Sequence, residues 1–580
     1  MKPTALFVAL GILALVAGCA TQAPEPEVVE AQAQPAPEPV EPAPEPVKER
    51  PFAPDTLYSL MVAELAGHQQ RFDIALSNYV QQAYETRDLG VVARAARIAR
   101  FMEEHRAALE MSVLWVELEP GNNEARVLAA SELAEAGRLN EAFAHAEYLL
   151  AKGNPLLLQT VAAFAGKGTD IEREQLLAGL QALEASHADQ QPLWMALALT
   201  YQQQGQFEPA LAAVAKAVAL EPDSNQAQAL QARLRYQSGD QVGALRQMAV
   251  LVDTSPEDQR LRLQYARLLA STDLEKAAEQ FEVLLADHPG DVDLQLSLGL
   301  IRFEQQRFDE AEVLFAELLD VERRRSTAHY YLARIAQEQR DYQSALNHYL
   351  KVEIGPDFMP ALVQTLEILV AAGELEPAHT RMEAVRAKVP QTHERLYALE
   401  AEILAKYGHL DAAEQVLTQG LTQLPESTQL LYSRALVNER RDMIDLAERD
   451  LRRVIRFEPN NATALNALGY TLADRTERYQ EAYELIKQAH LLKPDDAAII
   501  DSLGWVQYRL GNYAEAILRL REALKLYPDP EIAAHLGEVL WVTGQQQEAL
   551  EVWQAGIELN PRNSIIPNAM KRLGAEPADE

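Results

Sequence analysis

Residues 191–222 read QPLWMALALTYQQQGQFEPALAAVAKAVALEP, and the spacing of their apolar residues decides the fold. Trp194, Leu197, Ala198 and Tyr201 fall at i, i+3, i+4 and i+7, one face of a helix. Gly205 supplies a turn. Phe207, Ala210, Val214 and Ala217 then mark the face of a second helix, which Pro222 stops. Two apolar stripes joined by so short a turn bury each other as an antiparallel hairpin. The small side chains of Ala198 and Ala210 let the two axes approach closely.

The same arrangement recurs along the chain. Pro222, Pro256 and Pro289, and again Pro390, Pro425, Pro459, Pro494, Pro528 and Pro561, are spaced by 33 to 35 residues. The interval from Pro289 to Pro390 is 101 residues, room for three such units. A helical hairpin with this period resembles a tetratricopeptide (TPR) repeat. Leu503, Gly504, Gly511, Tyr513, Ala516, Leu520, Ala523 and Pro528 fit the frame, as do Leu536, Gly537, Gly544, Ala549, Trp553, Gly556 and Pro561. Before residue 191 the match weakens. Ala129, Ala130, Gly137 and Ala142 make a fair unit, while Phe72, Ala75 and Tyr79 make a poor one. Residues 156–187 keep helical character without the signature. The expected fold is all-α, a TPR superhelical solenoid of about 15 helical hairpins. Its layout is divergent TPR-like hairpins over 55–190, a regular array over 191–562, and a capping helix and tail over 563–580.

The N-terminus is of another kind. Lys2 precedes an apolar run over residues 5–16, shorter than the roughly 20 residues a bilayer span needs. Residues 1–18 therefore read as a signal peptide. It ends in Leu15-Val16-Ala17-Gly18-Cys19, which resembles a bacterial lipobox whose Cys19 thiol carries the lipid. Cys19 is the only cysteine, so neither an internal disulfide nor a cysteine metal site is expected. In lipoproteins of Gram-negative bacteria an aspartate after the cysteine usually signals retention in the inner membrane. Ala20 instead implies the outer membrane, with the lipid-anchored chain facing the periplasm. Residues 19–54 are dense in Pro, Ala and Glu, a disordered, lipidated linker reaching about 3.1 Å per residue when extended.

Charge narrows the partners. With 86 acidic and 53 basic residues the net charge is -33, which repels phosphates and disfavours nucleic acid. It fits either a basic partner or a well-solvated surface.

One stretch is more particular: Asn466-Ala467-Leu468-Gly469-Tyr470-Thr471-Leu472-Ala473-Asp474-Arg475-Thr476. One repeat later comes Asp501-Ser502-Leu503-Gly504-Trp505-Val506-Gln507-Tyr508-Arg509-Leu510-Gly511. This pairing resembles the large TPR-repeat outer-membrane lipoproteins of proteobacteria, the LbcA-like group. The resemblance implies a lipoprotein that binds a periplasmic carboxy-terminal processing protease, promotes its activity and presents substrates such as cell-wall hydrolases. In TPR arrays the first helix of each hairpin lines the groove. On that basis Tyr470, Asp474, Trp505, Tyr508 and Trp541 are the partner-binding candidates, with Tyr330 and Phe303 further up the array. Large rings at such positions are either binding hot spots or spacers packed between repeats.

Catalytic signatures are missing. None of the 12 histidines forms His-Glu-x-x-His, and there is no Gly-rich phosphate loop and no Gly-x-Ser-x-Gly elbow. The repeats use up the chain, so the expectation is no enzyme, no cofactor and no metal. A structural scaffold in an envelope machine, such as a polysaccharide exporter, pilus assembly or a cell-wall synthase complex, shares every sequence feature with the protease adaptor.

Overall fold

A computed structural model describes residues 53–575. The signal peptide, Cys19 and the linker up to residue 52 lie outside the described residues, as do the last five. The described residues form helices and turns with no strand among them, and they divide into two compact units after Leu157.

The first unit is three hairpins. Pro54–His68 pairs with Phe72–Thr86, Leu89–Phe101 with His105–Leu118, and Asn123–Glu135 with Leu139–Leu150. Its core is built largely from alanine. Ala63, Ala75, Ala95 and Ala96 are fully buried with Met111 and Trp115, and Ala108, Ala129 and Ala142 are fully buried as well. The poor sequence match at Phe72, Ala75 and Tyr79 nevertheless forms a hairpin, in which the buried Tyr79 hydroxyl donates to Glu64 on the facing helix.

The second unit opens irregularly. Leu157–Ala163 leads through a 3₁₀ turn, Ala165–Lys167, to Asp170–Ala182 and the short Glu184–His187. Eleven hairpins follow, from Gln191–Gln203 with Phe207–Leu220 to Pro530–Val542 with Gln546–Leu559. The helix Ile565–Leu573 then packs on Pro530–Val542. The 101-residue proline interval holds three hairpins: Val292–Glu304 with Phe308–Glu317, Glu322–Glu338 with Tyr342–Tyr349, and Phe358–Ala371 with Leu375–Lys388. The middle pair is uneven, 17 residues against 8.

Local chemistry explains the hairpin boundaries around Pro459 and Pro494. Helices close at Phe457 and Leu492, two residues before Pro459 and Pro494. The residue between is extended, as Glu458 is at φ -128° and ψ 78°, because a following proline disfavours the helical region. Two residues past the proline a side chain caps the next helix. Asn461 Oδ1 accepts the Ala464 amide at 2.9 Å, and Asp496 Oδ1 accepts the Ala498 amide at 3.1 Å. Between the two helices of a hairpin Gly511 takes φ 84°, open to glycine at no steric cost. Leu468, Leu472, Ala482, Ile486, Ile499, Leu503 and Val506 then form one core through two consecutive hairpins.

Candidate functional site

The first helices of the last hairpins bring their side chains together on one wall. Ala462–Arg475 carries Tyr470 and Asp474 one turn apart, Ala497–Arg509 carries Asp501, Trp505 and Tyr508, and Pro530–Val542 carries Glu531, His535, Glu538 and Trp541. Tyr470 reaches past the intervening hairpin. Its hydroxyl donates to Glu531 Oε1 at 3.2 Å and lies 3.3 Å from His535 Nε2. His535 Nδ1 donates to Asp501, with both carboxylate oxygens at 3.0 Å. Asp501, His535, Tyr470 and Glu531 thus form one hydrogen-bonded chain across three hairpins.

The electrostatics follow from burial and from the surplus of carboxylates. Burial opposes a charge on His535, but Asp501, with Glu531 and Glu538, outweighs it and holds the His535 pKa above its ordinary value. Burial, together with Glu531, Asp474 and Asp501, drives the Tyr470 phenol far up. The Asp-His-Tyr chain ties the first helices of three hairpins together. Tyr508 donates to Glu538 Oε1 at 3.4 Å, and burial with that carboxylate pushes its pKa up to about 12.

The sequence candidates sort unevenly. Tyr470, Asp474 and Tyr508 are half-buried on this wall. Of the two arrangements the sequence left open, Trp505 takes the packed one: it is 5% exposed. Its indole stacks on the His535 ring at 4.3 Å and meets Tyr508 at 5.2 Å. The cause is His535, contributed by the next hairpin, which supplies a flat partner above the indole. Trp541 is half-buried, and its ring lies 5.8 Å from that of Trp553 in the same hairpin. Phe303 is buried among Phe308 and Tyr331, and Tyr330 meets Tyr331 and Tyr349. These are packing rings. Sequence reasoning missed Asp501, Glu531 and His535. A signal was present: Asp501 precedes Trp505, and Glu531 precedes His535, by one helical turn.

Among the described residues one group has the atom types and spacing of a metal site. His105 Nδ1 lies 3.1 Å from Glu132 Oε2 and 3.3 Å from Glu135 Oε2. Arg100 already donates to the buried Glu132 at 2.7 Å, so ion pairing within the fold accounts for the group.

Stacked helical hairpins that present such a wall define a TPR repeat protein. Tetratricopeptide-repeat family models match residues 195–258, 268–335 and 502–564. Over 511 residues the chain is 41% identical to TPR repeat-containing protein PA4667 of Pseudomonas aeruginosa, spanning 86% of both, and it belongs to that family of TPR repeat proteins. A stretch of 196 residues is 28% identical to bacteriophage adsorption protein A of Escherichia coli, covering 33% of this chain and 20% of that protein. Among solved structures, a thermophilic TPR protein of Thermus thermophilus aligns with 31% of this chain and 97% of its own length. The identity is 22% and the TM-score 0.29. The repeats imply protein partners, and neither matched family is a catalytic one.

Proposed function

We propose that the protein is an outer-membrane-anchored TPR adaptor that holds a periplasmic carboxy-terminal processing protease and presents cell-wall hydrolases to it. Lipid on Cys19 anchors it and the linker over 19–54 spaces the array from the membrane. It performs no catalysis of its own. The lipobox-like end of the leader, with the chain's only cysteine, supports the anchor. The paired stretches around Tyr470 and Trp505, which resemble the LbcA-like lipoproteins, support the protease.

The observation that carries the binding role is the wall where Tyr470 reaches Glu531, with Asp474 one turn from Tyr470 and Tyr508 on the first helix between them. Half-buried aromatics drawn from consecutive first helices are the residues enriched at interface centres, and the carboxylates beside them add a charge for a partner to match. The test is affinity capture of the full-length lipidated protein from crosslinked envelopes. The reading expects a carboxy-terminal processing protease in the eluate, and faster loss of a cell-wall hydrolase when purified protease and adaptor are mixed. Recovery of exporter, pilus or synthase components without a protease would replace it with the scaffold reading.

A further inference from the structure

The wall around Tyr470 holds more negative charge than its own cations neutralise. Asp474 and Glu531 flank the Tyr470 phenol, and Glu439, on Thr428–Arg440, interacts with both of them. Among the described residues none of these three carboxylates has an ion-pair partner within 4.0 Å. The cations nearby are committed elsewhere. Arg475 pairs with Asp442, and Arg572 with Glu538. Arg509 donates to the Tyr479 hydroxyl at 2.7 Å and to the Asp474 main-chain carbonyl at 3.4 Å. His535 is held by Asp501. Burial, with Asp474 and Glu531 acting against Arg475, raises the Glu439 pKa from its ordinary value, and a cation seated beside it would favour its charged form.

The surroundings are aromatic as well as acidic. The rings of Tyr470 and Tyr508 are half-buried on the same wall. Trp505, nine-tenths buried between Tyr508 and His535, has an indole Nε1 with no acceptor. A donor buried unpaired is costly, so this N–H is a group the fold leaves unsatisfied beside the wall.

We propose that this wall receives a basic segment of a partner protein, seating a Lys or Arg head group among Glu439, Asp474 and Glu531 with its aliphatic stem along Tyr470 and Tyr508. The inference rests on the reading of the wall as the partner site and adds the chemistry it selects. Guanidinium and ammonium groups pair with carboxylates and lie against aromatic faces, and their long stems cover apolar surface. The whole-chain charge of -33 steers such a segment toward the array, and the unpaired trio gives it a register.

The probe is a short fluorescein-labelled peptide repeating Arg-Leu-Gly-Ser, compared with the same peptide carrying Glu for Arg. Polarisation is read on the full chain, on Glu439→Gln/Asp474→Asn/Glu531→Gln, and on Glu522→Gln/Glu551→Gln/Glu558→Gln. The last variant removes equal charge from exposed positions on second helices. The wall triple should weaken the Arg peptide about tenfold or more and the control triple by less than about twofold, with the Glu peptide unbound. Equal loss in both triples, no loss in the wall triple, or no binding of the Arg peptide by the unaltered chain would overturn the inference. The captured partner separates the two readings. If Tyr470→Ala/Tyr508→Ala abolishes its binding and the carboxylate triple does not, the wall binds proteins but does not select a cation. If neither variant affects it, the wall is not the site and both readings fall.

Discussion

Gly469 and Gly504 show how narrow the tolerances are at single residues. A Cβ at Gly469 would lie 2.5 Å from Ile486 Cγ1 and 3.0 Å from the Ala482 carbonyl oxygen, which belongs to the backbone of the facing helix and cannot turn aside. At Gly504 the nearest atom is Leu520 Cγ at 2.7 Å. Alanine would add helix propensity of up to about 1 kcal/mol. Overpacking of about 1–3 kcal/mol works against it. Gly469→Ala should therefore destabilise on balance, lowering the denaturant midpoint at unchanged slope. His535 behaves differently, because its contribution depends on its proton. The groups facing it are Asp501, Glu531, Glu538 and the Tyr470 hydroxyl. Its folded pKa lies above the unfolded value of roughly 6.5. The stability it adds is complete below that value and is lost as pH rises through the folded pKa. Melting followed by circular dichroism should show the C-terminal hairpins weakening as pH rises above roughly 6.5. His535→Gln should remove that dependence; a variant that keeps the full pH slope would place its origin elsewhere.

Hairpins were legible in the sequence wherever their signals are local. A proline two residues past a helix and a capping side chain two residues further, as in Pro459 with Asn461, mark a boundary within a handful of positions. Asn461→Ala removes the acceptor for the Ala464 amide and should cost about 1 kcal/mol. In a solenoid that loss stays near its own repeat. Hydrogen exchange should show faster opening at Ala462–Arg475 and its neighbours, with little change near residue 200. The hairpins before residue 150 were harder to read, because their interfaces are filled by alanines that carry little positional signature. The site was the least legible. Tyr470 and His535 are 65 residues apart, and their contact depends on how successive hairpins stack, which no single repeat encodes. Periodicity placed Trp505 on the first helix correctly but could not say that a histidine from the next hairpin would cover it.

At the scale of the whole molecule, the array offers protein-binding surface, and the proposed lipid anchor would decide where that surface is displayed. If Cys19 carries the lipid, Cys19→Ser should leave the protein unlabelled after growth with a fatty-acid analogue and shift it out of the outer-membrane fraction. Label retained on the serine variant would remove the anchor from the account. The central claim is that the wall formed by consecutive first helices holds the partner. It is tested most directly by placing a photo-crosslinking residue at Asp474, on the wall, and separately at Leu518, a second-helix position 57% exposed, in the full-length chain in its own envelope. The account predicts that irradiation joins a periplasmic carboxy-terminal processing protease or its substrate to position 474 and leaves position 518 free. Adducts at 518 with none at 474 would contradict it.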